Sequence, residues 1–384
     1  MSIARTLVSH RRMVRPFGNQ RRMVARTRPA AALGPKGEEM LARLDAGLSA
    51  LHASETDSLV LSTSRQRDAA LIQSFVAAEA TRTGKVDVLQ LPGEVPFTGF
   101  EVRFSEQDWL GWAASIFTWW GKIVPHSFVE PPPGVEAIPN SFRISMLGDW
   151  GTGLYGAPFC ARSIEADPPD LVLHLGDVYY SGTRAEVQER FLALWPNVPG
   201  AMHRALNGNH EMYTGGHSYF DDILPRFGQA ASCFALQNDF WTLIGLDSAY
   251  EDHSLHESQI PWLTSVLAGA GDRKIVLFSH HQPFSLLEDQ GPALAGRLRE
   301  VLESRRIYAW YWGHEHRCVL YDPHPRWGLR GRCAGHSGFP YFRDDLRNAP
   351  RVRGLNDGWH RIESIDGVPG ALLLDSPNVY VAGF

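Results

Sequence analysis

The chain has 384 residues, 44% of them hydrophobic and 21% charged, with a net charge of −5. That length exceeds an average domain but suits one large α/β unit with an appendage. The negative charge excludes general nucleic-acid binding, which needs an electropositive surface, and the absence of a long uncharged apolar run excludes a membrane-spanning helix.

Residues 1–35 carry Arg5, Arg11, Arg12, Arg15, Arg21, Arg22, Arg26 and Arg28 and no acid; the first carboxylate is Glu38. Such a segment reads as a basic, disordered leader, with an arm that touches anionic partners as the alternative. Its arginine pairs are not followed by an apolar core and a small-residue cleavage site, so no secretion signal is expected. The four cysteines (Cys160, Cys233, Cys318, Cys333) form no C-x-x-C pair. An intracellular, cytoplasmic protein is the expectation.

Residues 36–140 read as a helical, Trp-rich N-terminal unit. Helices are predicted over Glu38–Ala53 and Arg65–Ala80, where Met40, Leu41, Leu44 and Leu48 recur at helical spacing. Trp109, Trp112, Trp119 and Trp120 cluster around Ile116 and Phe117; this cluster reads as packing against the rest of the protein rather than as a lid or a membrane patch. Pro131, Pro132 and Pro133 mark the join to a catalytic domain over residues 141–384.

Beyond the join, short apolar runs alternate with helical stretches. The runs are Phe142–Leu147, Leu171–Leu175, Trp241–Leu246, Lys274–Ser279 and Ile307–Trp312. The helices are Arg184–Leu194, Glu257–Leu267 and Pro292–Glu303. Alternation of this kind predicts strand–helix–strand units of the α/β class. Two further strand-like runs, Ala371–Leu374 and Val379–Ala382, close the chain.

Polar residues recur directly behind the runs. Gly148-Asp149-Trp150-Gly151, Gly176-Asp177-Val178-Tyr179-Tyr180, Gly208-Asn209-His210-Glu211, His280-His281-Gln282-Pro283 and Gly313-His314-Glu315-His316 each follow an apolar segment. Ligands in open α/β sheets bind beyond the carboxyl ends of the strands, so the five loops are expected on one edge. Carboxylate, amide oxygen and imidazole together suit zinc and first-row transition metals, and glycine lets backbone approach an ion closely. Gly-Asp alone is a common cap and Gly-His-x-His alone is moderate; the ordered set of five is the specific signal.

In this set the chain resembles the calcineurin-like metallophosphoesterase superfamily and, within it, the purple acid phosphatases. The wider superfamily has Gly-Asp-x-His in its first motif, whereas this chain has Gly-Asp-Trp-Gly. Purple acid phosphatases lack that histidine too and carry Gly-Asp-x-x-Tyr in the second motif, which Gly176-Asp177-Val178-Tyr179-Tyr180 matches with Tyr180 in the tyrosine place. The likeness spans about Phe142 to Arg317. It implies two facing mixed β-sheets, a β-sandwich flanked by helices with the helical N-terminal extension packed on it, and strands from Cys318 onward added to the second sheet.

The resemblance also implies a ligand set. Asp149, Tyr180 and His316 would hold a first metal, Asp177 would bridge, and Asn209, His280 and His314 would complete the second. His210 would stand beyond the ligands, near the phosphate, as the catalytic residue. A serine five residues past the ligand, here Ser285, selects His280; a proline two residues past it, here Pro283, would select His281. Tyr179 competes with Tyr180, because alternation along an extended segment points the two in opposite directions. A tyrosinate ligand favours Fe(III) in the first site, with Zn, Fe or Mn beside it; without one, a pair of Mn, Fe or Zn ions is expected.

The activity implied is hydrolysis of a small phosphoester by a metal-bound hydroxide, a phosphomonoesterase in the first instance. A phosphodiesterase on a cyclic nucleotide or phospholipid head group is the rival within the class. A catalytically idle metal-binding interaction module is the rival outside it, and no protein partner is identified. Gly-x-Ser-x-Gly is absent, against a serine hydrolase. His217, His253, His256, His324 and His336 read as structural or solvent-exposed, His174 as a satisfied core histidine, Asp247 as a turn cap and Glu315 as outward-facing.

Overall fold

The computed structural model describes residues 6–7, 34–53, 66–83, 86–90, 98–102, 120–153, 157–285, 290–316, 318–321, 323–338, 340–342, 362–365, 371–373 and 379–382. Two sheets form the centre of the molecule. The larger has eight strands in the order Ile362–Ile365, Cys318–Tyr321, Arg330–Ala334, Ile307–Trp312, Lys274–Ser279, Trp241–Gly245, Phe234–Gln237 and Glu136–Ala137. It is mixed: Lys274–Ser279 runs parallel to both neighbours, while Cys318–Tyr321 is antiparallel to Arg330–Ala334. The smaller contains Ile144–Leu147, Leu171–His174 and Met202–Ala205, all parallel.

The strand sequences explain this burial. Ile275 to Ser279 and Leu171 to His174 are buried without interruption, as expected for parallel strands covered on both faces. Between the sheets, Leu171, Leu173 and Leu175 pack with Phe234, Leu236, Leu243, Val276 and Phe278. The outer face of the large sheet is covered by Gln259–Gly269 and Pro292–Arg297 through Leu263, Val266 and Leu294. The outer face of the small sheet is covered by Ala157–Ala166 and the helical segments after it, through Cys160, Ile164, Val187, Phe191 and Tyr219. The result is four layers, helix–sheet–sheet–helix.

The predicted sandwich is present, with one difference: the small sheet is parallel rather than mixed among the described strands. The strands from Cys318 to Ile365 extend the large sheet, whereas Pro340–Phe342, Ala371–Leu373 and Val379–Ala382 form a separate antiparallel sheet.

The N-terminal region differs more. Its helices are Gly34–Ala53 and Arg67–Thr83, joined by an Arg43–Asp68 ion pair at 2.6 Å. It also holds strands Val86–Gln90 and Thr98–Val102, so it is not purely helical. Thr6–Leu7, within the leader expected to be disordered, pairs with Thr98–Val102; the other residues up to 33 lie outside the described residues. Trp109, Trp112 and Trp119 do too, while Trp120 is buried with the Arg43 guanidinium 4.6 Å from its ring centre. Ser74 links this region to the catalytic layers: its hydroxyl lies 2.6 Å from that of Ser181 and donates to Glu186 Oε1 at 2.8 Å.

Candidate metal centre

Every parallel strand that precedes a motif delivers it to one edge. Asp149 follows Ile144–Leu147, Asp177 follows Leu171–His174, and Asn209 and His210 follow Met202–Ala205. His280 follows Lys274–Ser279, while His314 and His316 follow Ile307–Trp312. The loops lock together through backbone contacts: Asp149 N–H donates to Gly176 O (3.1 Å), Gly313 N–H to His280 O (3.0 Å), and His314 N–H to Asp149 Oδ2 (2.7 Å). Asp149, Asp177, His314 and His316 all have φ between 51° and 77°. Left-handed backbone at non-glycine residues costs about 1–3 kcal/mol each and concentrates at functional sites. Two glycines are required by contact: a Cβ on Gly208 would fall on the Asp177 carboxylate, and one on Gly176 (φ 102°) would lie 2.5 Å from His280 Nδ1.

Two groups of ligand-type atoms result. In the first, Tyr179 Oη lies 2.7 Å from Asp149 Oδ1, 2.9 Å from Asp177 Oδ2 and 2.8 Å from His316 Nε2. One hydroxyl proton cannot serve both carboxylates. Burial, then the Asp149 and Asp177 charges, raise the phenol's pKa well above its ordinary value. In the second, Asn209 Oδ1 lies 3.0 Å from both His280 Nε2 and His314 Nδ1, and Asp177 Oδ1 lies 3.4 Å from His280 Nε2. His280 Nδ1 faces Leu175 O at 2.9 Å; a carbonyl only accepts, so that nitrogen donates, and in the neutral ring Nε2 presents a lone pair. His314 Nε2 likewise faces Gln290 Oε1 at 2.8 Å, leaving Nδ1 towards Asn209.

Lone pairs from oxygen and nitrogen therefore converge in both groups, and Asp177 offers one oxygen to each. Burial opposes charge on His280, but Asp177, Asp149 and Glu211 outweigh it and raise its pKa to about 9. The site's field thus draws a positive charge to Nε2. The donor set fits metal ions: buried O and N atoms that repel one another unless a cation lies between them.

The structure brings together Asp149, Asp177, Asn209, His280, His314 and His316. His210 adjoins them, with Nε2 3.8 Å from Asp177 Oδ2 and the other ring nitrogen donating to Tyr180 O. Burial lowers its pKa, against the Asp177 charge. His281 Nδ1 faces Ser248 O at 2.8 Å and its ring groups with His253 and His314, while His280 is the one that meets Asn209 and Asp177.

Tyr180 is the correction. Its ring lies under the Arg190 guanidinium, 4.7 Å from ring centre to carbon, and Tyr179 supplies the hydroxyl in the cluster instead. Glu315 is also not outward: it is fully buried and accepts from Trp312 Nε1 at 2.6 Å and from Ser285 Oγ. Neither ring nitrogen of His174 has a hydrogen-bond partner, so it is not the satisfied histidine expected; it packs on Phe191 and Trp195. Asp247 does cap a turn, accepting from Ala249 and Tyr250 N–H.

Three residues were not anticipated. Glu211 Oε2 accepts from both Asp177 and Gly208 N–H at 3.1 Å, joining two motif loops. Gln290 and His253 line the open side of His314, with His253 Nε2 3.2 Å from Gln290 Oε1. Glu211 was readable as the fourth member of its motif; Gln290 and His253 lie in loops with no pattern.

Carboxylates, imidazoles, an amide and a phenol thus gather at the ends of parallel strands in a four-layer α/β fold, a donor set that suits metal ions. Residues 142–318 match the family model described as calcineurin-like phosphoesterase. Residues 142–318 therefore carry a calcineurin-like phosphoesterase domain, and the domain and its phosphatase relatives support a hydrolase acting on phosphoric esters. It is similar to tartrate-resistant acid phosphatase type 5 of Homo sapiens, 24% identical over 245 residues, covering 52% of this chain and 74% of that protein. It is also similar to the glycerophosphodiester phosphodiesterase GpdQ of Enterobacter lignolyticus (strain SCF1), 26% identical over 165 residues, covering 40% of this chain and 58% of that one. Among solved structures, purple acid phosphatase PPD1 from yellow lupin aligns with a TM-score of 0.46 at 14% identity, covering 62% of this chain and 49% of that one. These relatives imply a dinuclear metal centre. Among the described residues, no helix is long and apolar enough to cross a membrane.

Proposed function

We propose that the chain is a dinuclear metal-dependent phosphomonoesterase. The observation that carries this reading is the division of Asp177, with Oδ2 on the tyrosine side and Oδ1 on the histidine side. On this reading Asp149, Asp177, Tyr179 and His316 hold the first ion, and Asp177, Asn209, His280 and His314 hold the second. The tyrosine favours Fe(III) in the first place, with Zn, Fe or Mn in the second. Once bound, such a pair neutralises phosphoryl charge and makes a water acidic enough to act near neutral pH.

The chain's own residues do the rest. Glu211 fixes the Asp177 and Gly208 backbones and so keeps the two half-sites in register. His210 is held by Tyr180 O, which leaves Nε2 as its exchangeable nitrogen, facing the cluster without a hydrogen-bond partner. As the imidazolium, with a second proton taken from solvent at Nε2, it would steady the phosphate and pass that proton to the leaving oxygen, returning to the neutral ring that burial favours. Gln290 and His253 stand beside His314. The sequence carries no nucleophilic motif that would require a covalent intermediate.

The likeness to a glycerophosphodiester phosphodiesterase favours a second reading, turnover of diesters. Parallel assays of a monoester and a diester chromogenic substrate, on protein purified without chelators and analysed for metal, separate the two. Two ions per chain with faster monoester turnover is the expected result. Faster diester turnover refutes the monoesterase assignment, and metal-replete protein that turns over neither ester refutes the enzyme. The cytoplasmic assignment belongs with this proposal, supported by four cysteines that form no disulfide.

A further inference from the structure

A second group of ligand-type residues lies apart from the centre and shares no residue with it. His217 and Asp221 are four residues apart on the helical stretch 217–226, so both face the same side. His126 reaches them from the segment that crosses this helix. His126 Nε2 lies 3.5 Å from Asp221 Oδ1, and His217 Nδ1 lies 3.7 Å from Asp221 Oδ2.

The remaining ring nitrogens define the tautomers. His126 Nδ1 lies 2.6 Å from Ser127 O, and His217 Nε2 lies 2.9 Å from Val124 O. Both partners are carbonyls, which only accept, so both of those nitrogens carry hydrogen. With each of those nitrogens bearing hydrogen, the other nitrogen of each ring faces the carboxylate; in the neutral form it aims a lone pair there, an arrangement that a cation, a metal ion or a proton, relieves. A ligating histidine commonly donates its other N–H to a backbone carbonyl, which orients the ring and strengthens the ligand; here both do.

The spacing suits zinc. Bonds of about 2.0–2.2 Å in a tetrahedron separate ligand atoms by roughly 3.3–3.6 Å; the histidine nitrogens lie 3.5 Å from Asp221 Oδ1 and 3.7 Å from Asp221 Oδ2, within a small side-chain adjustment of that spacing. The three candidate ligand atoms all lie within 4.8 Å of one another. Ring packing holds the geometry: His126 stacks on Phe220 at 4.6 Å and meets His217 edge-on at 5.3 Å. His217 and Asp221 are about half exposed, so a fourth position is open to water.

We propose that His126, His217 and Asp221 bind a third divalent transition-metal ion, zinc by its donor set, as a staple between residues 124–127 and the helix at 217–226. The segment is already tied there, with His126 N–H donating to Gly215 O (2.7 Å) and Tyr250 Oη to His126 O (2.8 Å). Gly215 lies three residues beyond Asn209–Met212, the helix that carries a ligand of the main centre and His210. A bound ion would stiffen the support of that helix without touching the reaction.

The test titrates zinc into the full-length protein with its main centre already loaded, at pH 7.5, with uptake read by elemental analysis and calorimetry. Wild type is expected to take up one more equivalent than His217→Ala or Asp221→Asn, and to gain a zinc-dependent rise in Tm that both variants lose. His217→Cys, which restores a zinc ligand, should recover the uptake. The proposal is overturned if wild type takes up no further ion, or if the variants take up as much as wild type. The readout is binding and Tm, so the outcome is independent of whether the main centre prefers monoesters, diesters or neither.

Discussion

Tyr179→Phe and Tyr180→Phe form the most decisive pair of substitutions. The first removes a hydroxyl within 2.7–2.9 Å of Asp149, Asp177 and His316 and leaves two buried carboxylates facing one another. A hydrogen bond to a charged group contributes about 1.5–3 kcal/mol, and a ligand bond to a cation at least as much. Taking about 3 kcal/mol, the first ion binds roughly 150-fold more weakly in Tyr179→Phe. The second substitution removes a hydroxyl outside the cluster and keeps the ring under Arg190. Its expected cost is under about 1 kcal/mol, with turnover within roughly threefold of wild type. Absorption spectra and metal analysis of both variants, purified without chelators, read the difference. With iron present, the tyrosinate charge-transfer band is lost from Tyr179→Phe and kept in Tyr180→Phe. The reverse pattern would refute the placement of the hydroxyl, and with it the ligand set proposed for the first ion.

Gly208→Ala places a Cβ against the Asp177 carboxylate and 2.7 Å from its backbone nitrogen, so elemental analysis should show both ions reduced and activity lost. Gly296→Ala, with nothing within 4 Å, should instead leave metal content unchanged and raise Tm slightly. His210→Asn should lower kcat by about 10²–10⁴-fold while metal content stays at two, a split measured by kinetics beside elemental analysis. Acid stability follows His174 and His336, whose pKa values burial pushes down to about 3. A histidine depressed on folding contributes stability that is complete above its unfolded value near 6.5 and is lost as pH falls towards 3. At pH 5 the loss is about 2 kcal/mol for each, or about 4 kcal/mol together, against a typical total of 5–15 kcal/mol. Denaturant unfolding between pH 7 and 5 measures it; His174→Leu should reduce the slope, and an unchanged slope refutes the assignment.

The two tyrosines also show where a sequence stops being sufficient. The strands before each motif were legible because unbroken apolar runs such as Lys274–Ser279 can only be covered on both faces, and their carboxyl ends had to carry the polar residues. Six of the residues predicted to be ligands meet there. The seventh was chosen by counting along the Gly-Asp-x-x-Tyr pattern, but that count assumes a regular extended chain. Gly176 and Asp177 both have left-handed φ, 102° and 77°, so the alternation of Leu171–His174 does not continue into the motif. Which tyrosine faces the carboxylates is then set by partners downstream: Glu186 takes the N–H groups of Tyr180 (2.7 Å), Ser181 (3.2 Å) and Thr183 (3.0 Å), and Arg190 donates to Tyr179 O (2.9 Å). Glu315 was misplaced for the same reason, since it stands between His314 and His316 at φ 67° and 51°. The residues that bend the backbone sharply enough to gather ligands are those that break the periodicity by which side-chain direction is read. Ser74 carries the point further, because it reaches Glu186 from a helix more than a hundred residues upstream. The carboxylate that holds the Tyr180 backbone is thus itself tied to the N-terminal region, a contact no motif in the catalytic domain encodes.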